Sequence, residues 1–323
     1  MVLSIITVNT NEWHVLQTCL RSVFEQTKGI EFEFIVVDNA STDGSKEKIA
    51  REYPQVKIIT NSENLGFAAA NNRGIEQACG KYVLLLNPDT EVLDNAIVKT
   101  VQFMESHPQA GISACKLLFP DRSLQRSVRS FPTVWNVFCE STFLYRLFPK
   151  SILFGKYYLS YFNYDAIMQV DWVCGAYIMM SRKVIDTVGL LDEQFYMYTE
   201  EVDYCHRAKN AGYEIWFIPD GEVIHFWGGV NAINRRVMLW TNASMMLYLQ
   251  KHFYGVEKYL LMGLKYFGLV LRTIMYALVG CLLLSQKMFL KSYYTLYSLY
   301  KLVVTSWKYK HNYTGKVVPW ERV

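Results

Sequence analysis

The chain has 323 residues, 51% of them apolar and 19% charged, which excludes a disordered protein and leaves room for one large α/β domain with an appendage. The net charge of +4 conceals an asymmetry: from Lys251 onward eleven Lys/Arg stand against Glu257 and Glu321, so this tail carries +9 and the first 250 residues −5. Seven scattered cysteines without a CxxC argue against a disulfide framework or a zinc site, and a basic tail this rich in Leu, Met and Phe is a poor nucleic-acid arm.

In chain order, Leu3 to Val8 reads as a first strand, not a secretory signal, since it lacks a basic flank and a long apolar stretch. The body is therefore expected to face the cytoplasm. Val15, Leu16, Cys19, Leu20 and Val23 then recur at helical spacing. Phe32 to Val37 is a second strand, followed by a polar loop in which Ser41 or Asp43 is placed to cap a helix over about Lys46 to Glu52. Val56 to Ile59 makes a third strand and Phe67 to Ala78 a small-residue helix, with Gly80 as its expected C-cap. Tyr82 to Leu86 is a continuously apolar run that stops at Asn87-Pro88-Asp89. Four strand–loop–helix passes predict a doubly wound α/β layer with polar residues on one rim: Asn9, Asp38, Asn64 and Asp89. Such a rim suits a nucleotide, and a carboxylate at a strand end can hold a hard divalent cation. No G-x-G-x-x-G follows the first strand and no Walker A pattern is present.

Four segments taken together, Ser4-Ile5-Ile6-Thr7-Val8-Asn9, Val36-Val37-Asp38-Asn39-Ala40-Ser41-Thr42-Asp43-Gly44, Asn64-Leu65-Gly66-Phe67-Ala68-Ala69-Ala70-Asn71-Asn72 and Leu86-Asn87-Pro88-Asp89, resemble the family 2 glycosyltransferases of the GT-A fold. The likeness is greatest to bacterial rhamnosyltransferases of O-antigen and cell-wall polysaccharide assembly, and it runs to about residue 230. It implies a mixed-sheet GT-A domain over residues 1–230, with a nucleotide-sugar half at 1–115 and an acceptor half at 116–230. It further implies a nucleotide-diphosphate sugar donor, a divalent metal (Mn²⁺ or Mg²⁺) and inversion at the anomeric carbon. By position, Asp38 would receive the nucleobase N–H, Thr7 and Asn9 would line the base and ribose pocket, and Asn64, Gly66 and Asn71 would close the donor side. Asp89 would match the last aspartate of the family's DxD metal motif. Asn87 departs from the first, being a weaker metal ligand or a ribose contact.

Pro120 to Ser123 reads as a hairpin turn, and residues 143–164 are aromatic without clear period. Val170 to Met180 is expected as a single buried strand, which by resemblance floors the acceptor pocket with Asp171, Trp172, Gly175 and Ala176. Thr199 to Asn210 reads as a helix that opens on Glu200, Glu201 and Asp203, where the helix dipole favours anions, with Arg207 spaced to pair with Asp203. The family's Glu-Asp motif falls on Glu200-Glu201. Glu201, expected to be partly desolvated, is preferred to Glu200 as the catalytic base. Strands at Glu214–Ile218 and Glu222–Ile224 deliver His225, which by resemblance is a metal ligand beside Gly228-Gly229.

After a helix over 231–253, Tyr259 to Leu284 is apolar but interrupted by Lys265 and Arg272. The longest uninterrupted run, from Thr273 to Ser285, has thirteen residues, short of the roughly twenty needed to cross a bilayer. Residues 231–323 are therefore expected as a helical tail lying in the membrane interface, with packing on the body or on a second subunit of a homo-oligomer as the alternative. The overall expectation is an inverting transferase acting from a dTDP- or UDP-sugar onto a lipid-linked glycan at the cytoplasmic face of the inner membrane. A non-catalytic sugar-nucleotide-binding scaffold and a polyprenyl-phosphate sugar transferase remain as alternatives.

Overall fold

The structure, a computed structural model, describes residues 1–226 and 235–309. It divides into two compact units, one of Met1–Phe131, Phe162–Asp192 and Glu200–Gly228, the other of Pro132–Tyr161, Glu193–Thr199 and Gly229–Val323. Residues 132–161, read above as part of the acceptor half, thus group with the C-terminal helices.

In the first unit, β1 (Leu3–Asn9), α1 (Trp13–Gln26), β2 (Phe32–Asn39), α2 (Ser45–Glu52), β3 (Lys57–Asn61), α3 (Phe67–Gln77) and β4 (Tyr82–Leu86) alternate along the chain. The four strands are parallel, in the order β3-β2-β1-β4. Ile5, Ile6, Ile35, Val36, Val83 and Leu84 are fully buried, as consecutive apolar residues must be when both sheet faces are covered. The chain continues through β5 (Thr90–Leu93), α4 (Ala96–Ser106), β6 (Ala110–Leu118), β7 (Leu124–Gln125) and β8 (Val128–Arg129). Three short helices of the second unit follow: α5 (Val134–Ser141), α6 (Leu144–Leu147) and α7 (Ile152–Gly155). The first unit resumes with β9 (Met168–Gln169), β10 (Trp172–Val173), β11 (Tyr177–Ser181), α8 (Arg182–Val188), α9 (Glu200–Asn210) and β12 (Glu214–His225).

Past β4 the sheet becomes mixed, in the order β4-β11-β6-β12-β5, with β11 antiparallel to both of its neighbours and β12 antiparallel to β5. Three expectations change. The strand foreseen over 170–180 is split, with β10 paired to β8 in a small separate sheet and β11 in the main one. The two strands foreseen at 214–218 and 222–224 are one, kept in register with β6 by an irregularity between Ile218 and Glu222. Gly80 is also not the C-cap of α3, which closes on Ala78.

The reason for a glycine at position 80 is the space around it. A Cβ there would lie 2.5 Å from the Ser4 nitrogen and 2.6 Å from both the Leu3 carbonyl carbon and the Tyr82 oxygen, all of them backbone atoms that cannot step aside. Gly80→Ala is expected to destabilise the first unit by about 3 kcal/mol, at the upper end of overpacking costs, as a lowered midpoint in urea unfolding.

The second unit adds α10 (Arg235–His252), α11 (Gly255–Leu283) and α12 (Gln286–Tyr309). Ser244 Oγ donates to the Met197 carbonyl at 2.9 Å, and Tyr196 packs on Trp240, so the segment 193–199 is anchored on α10. Helix α11 runs 29 residues without a break, and with a mean hydropathy of 1.8 over an 18-residue stretch it is, by length and composition alone, long and apolar enough to cross a membrane. Lys265 and Arg272, whose charges weighed against such a helix in the sequence, both ion-pair with the buried Glu140 of α5. Ser141 Oγ donates to the Leu264 carbonyl at 3.0 Å beside Gly268, where an added Cβ would fall 2.8 Å from that hydroxyl, so α5 sits tightly on α11.

Candidate active site

The loops at the C-terminal ends of β1 and β2 are stitched to each other. Asn9 Nδ2 donates to Asp38 Oδ1 (3.3 Å) and Ser41 Oγ (3.0 Å), while Asn11 Oδ1 accepts from the Thr42 nitrogen at 2.6 Å. Asp43 takes the Trp13 nitrogen on one oxygen and the Ser45 nitrogen on the other, so one carboxylate holds the starts of both α1 and α2. The next loop is held by a ladder of amides. Arg73 Nη1 donates to Asn61 Oδ1 (2.7 Å), Asn61 Nδ2 to Asn39 Oδ1 (3.0 Å) and Asn39 Nδ2 to Asn64 Oδ1 (2.8 Å), and that last oxygen also receives the Gly66 nitrogen (2.9 Å).

Of the expected donor residues, Asn9, Asp38, Asn64, Gly66, Asn87 and Asp89 stand at this strand-end rim or in its loops. Thr7 lies within β1, fully buried, and Asn71 turns back to donate to the Phe67 carbonyl of its own helix. Asn39 was not foreseen. Its signal in the sequence is only that it follows Asp38 at the end of an apolar run.

Asp89 and His225 meet because β5 pairs with β12. Thr90 stands opposite His225 in that register, and the Phe226 nitrogen donates to the Asp89 carbonyl at 2.8 Å. His225 Nε2 comes within 3.3 Å of Asp89 Oδ1, and Asn87 Nδ2 lies 3.5 Å from the same nitrogen. The far ring nitrogen, Nδ1, is 3.0 Å from Gln125 Oε1 in β7. An amide oxygen only accepts, so Nδ1 carries the hydrogen shared with Gln125, and Nε2 is the ring nitrogen that faces Asp89 and Asn87. Neither Gln125 nor the nearby Glu12 was anticipated. Burial and then the charge of Asp89 push the Glu12 carboxyl up to about 7. Gly228 and Gly229, read above beside His225, lie outside the described residues.

Among the residues expected at the acceptor pocket, the Ala176 carbonyl accepts from the Asn87 nitrogen at 3.0 Å, which puts the 174–176 turn against the end of β4. Gly175 is uncrowded, since an added Cβ would meet only the Phe67 ring at 3.8 Å. Asp171 receives the Phe131 nitrogen at 2.8 Å and pairs with Lys209, while Trp172 is buried with its Nε1 donating to the Ser130 carbonyl. Glu201 lies close enough to the Cys174 thiol to help burial push it up to about 11. Arg207 bonds Asp203 and the carbonyls of Val188 and Leu190, the bracing role its spacing suggests.

A further buried carboxyl here is Glu200. At 4% exposure, with no hydrogen-bond partner for Oε2, it is held well above its ordinary 4.5, chiefly by burial and then by the charge of Glu201; Glu201 itself is half-buried. A raised carboxyl pKa means that the native state keeps a proton the unfolded chain gives up, so stability falls as pH rises from 4.5 toward the raised value. Glu200→Gln is therefore expected to raise the melting midpoint at pH 8 and leave it unchanged below pH 4.5, read by thermal unfolding across that range.

Residues 4–189, more than half of the chain, match the model of the family described as Glycosyl transferase family 2. The chain belongs to glycosyl transferase family 2. Among its relatives, the N-acetylglucosaminyl-diphospho-decaprenol L-rhamnosyltransferase of Mycobacterium tuberculosis is 27% identical over 202 residues, 59% of this chain and 65% of the relative, so the match spans just under two thirds of that protein's length. The rhamnosyltransferase WbbL of Escherichia coli K12 is 26% identical over 206 residues, 60% of this chain and 73% of WbbL. Among solved structures, the mannosyltransferase PcManGT of Pyrobaculum calidifontis, determined with GDP-Man and Mn²⁺, superposes with a TM-score of 0.59 at 15% identity, over 95% of this chain and 87% of that one. That likeness establishes the GT-A fold.

In this family 2 glycosyltransferase no group of three or more His, Cys, Asp and Glu side chains converges as a metal cage among the described residues. What it offers is one carboxylate and one imidazole with its tautomer fixed from behind by Gln125. That donor set suits a divalent cation whose remaining positions go to ligand oxygens and water.

Proposed function

We propose that this glycosyltransferase moves a sugar, with rhamnose from dTDP-rhamnose as the leading candidate, from a nucleotide-diphosphate donor onto a lipid-linked saccharide for surface polysaccharide synthesis, with inversion. The observation that carries the reading is the Asp89–His225 pair at the strand-end rim of a family 2 domain. The names of the two rhamnosyltransferase relatives support the sugar, and the diphospho-decaprenol in one of them supports the acceptor class.

Asp89 and His225 would hold Mn²⁺ or Mg²⁺, with Asn87 beside them, and the ion when bound offsets the charge growing on the departing diphosphate. Asp38 and Asn9 would orient base and ribose, with the loop of Asn64 and Gly66 setting the donor side. The acceptor hydroxyl attacks the anomeric carbon from the face opposite the nucleotide. Its new C–O bond forms as the bond to the diphosphate breaks, and its proton passes to Glu201. Burial disfavours the charged form of Glu200 and raises its pKa well above the ordinary value, whereas Glu201 is only half-buried, which supports Glu201 as the base. The mass of apolar side chains on α11 and α12 and the basic tail support placement at the cytoplasmic face of the inner membrane, where a lipid-linked acceptor resides.

A thermal-shift panel tests the donor. The melting midpoint should rise with dTDP-rhamnose plus Mn²⁺ more than with UDP- or GDP-sugars, by about 2.7 kcal/mol of added stability at a hundredfold excess over Kd. Equal shifts for all nucleotides would remove the donor assignment. Transfer to a polyprenyl-diphosphate saccharide, but not to polyprenyl phosphate, is the expected acceptor result.

A further inference from the structure

Helices α6 and α7 display four large apolar side chains within seven residues: Leu147 (69% exposed), Phe148 (50%), Ile152 (67%) and Leu153 (58%). Single exposed leucines are ordinary, but four large apolar side chains exposed in so short a stretch are the kind of cluster that marks an interaction surface. The segment is not a loose loop. Ser160 Oγ donates to the Pro149 carbonyl at 2.7 Å, Trp135 Nε1 to the Leu153 carbonyl at 3.0 Å, and Phe154 packs between the rings of Phe148 and Trp135. Its base is fixed as well, because Glu140 at the end of α5 takes both Lys265 and Arg272, two turns apart on α11.

The segment's own charge is of one sign. Arg146, Lys150 and Lys156 are exposed, and no acidic residue occurs between Glu140 and Asp165. A second copy of the same tip would bring three cations against three with no carboxylate to pair them, which disfavours self-association. An anionic bilayer meets both features at once, since hydrocarbon takes the leucines and phenylalanine while headgroup phosphates take the cations. Trp135 and Tyr145 beside the tip suit the level of the headgroups.

We propose that residues 144–156 form a membrane-inserting tip that enters the interface of an anionic leaflet together with the exposed apolar side of α11. The inference rests on the membrane placement given above and deepens it. The Glu140 clamp makes the attachment two-part: a spanning α11 would draw α5 and the ion triad into hydrocarbon, whereas a helix lying flat leaves them above it.

The test is flotation of the full chain with vesicles of phosphatidylcholine alone or mixed with phosphatidylglycerol. Leu147→Ser/Ile152→Ser should lower partition into the mixed vesicles at least about tenfold, since two exposed side chains lose their burial in lipid. Lys150→Glu should lower the phosphatidylglycerol-dependent gain by about fivefold or more and leave binding to phosphatidylcholine alone unchanged. All three positions are exposed, so unchanged melting midpoints will show that the variants are folded. If Leu278→Ser/Leu282→Ser on α11 abolishes flotation and the tip variants float as the parent does, the tip assignment falls and the tail reading stands. A parent chain that floats with neither vesicle removes both. A tip variant that turns a dimer into a monomer in light scattering while flotation is unchanged makes the tip a contact between copies and overturns the proposal.

Discussion

Asp89→Ala is expected to lower sugar transfer at least about a thousandfold, a loss of roughly 4 kcal/mol in transition-state stabilisation. The argument is geometric. The backbone of residue 89 is held independently of its side chain, because its carbonyl accepts from the Phe226 nitrogen and Thr90 stays in register with His225. Removing the carboxylate therefore leaves the sheet and the imidazole in place and takes away one of two adjacent donors. The Mn²⁺-dependent part of donor binding should vanish with activity, while metal-independent binding of the nucleotide at the Asp38 rim persists. Titration calorimetry with and without Mn²⁺ separates the two, and unchanged metal-dependent binding would remove Asp89 from the ligand set.

Glu201→Gln is the second large effect, a loss in kcat of about a hundredfold to ten-thousandfold with donor affinity nearly intact, as expected when a base acts only in the transition state. Glu200→Gln is the informative contrast. It replaces a buried carboxyl whose charged form is disfavoured by an isosteric amide, so with Glu201 as the base activity should survive. The opposite pattern, with Glu200→Gln inactive and Glu201→Gln active, would transfer the role of base to Glu200. Neither substitution disturbs the Asp203–Arg207 brace that positions this end of α9.

The parallel half of the sheet was legible because its signal is local. Buried strands such as Tyr82–Leu86 are continuous apolar runs, and a polar residue just past each run marks the rim. What stayed hidden was set by pairing between distant strands. Only the resemblance joined His225 to Asp89, and nothing near either in the sequence points to Gln125; the antiparallel β5–β12 pairing brings the first two together, and the short β7 hairpin adds the third. Val170 to Met180 reads as one apolar strand, but its two ends pair with different sheets, and apolar character alone does not say where a chain changes partners. The burial of Glu200 in preference to Glu201 is likewise invisible locally, since adjacent residues at a helix start have the same composition around them. The counter-charge of Lys265 and Arg272 was hidden for the same reason: Glu140 sits 125 residues from the first of them.

The amide ladder from Arg73 through Asn61 and Asn39 to Asn64 has a direction, each group donating forward and accepting from behind. Turning over any single amide would set donor against donor on one side and acceptor against acceptor on the other, so the members are locked as a set and not one by one. The turn that presents Leu65 and Gly66 is consequently held in one pose by the protein itself. For the donor proposed above, little ordering entropy is then left to lose on capture, and its binding should build up in a single kinetic phase.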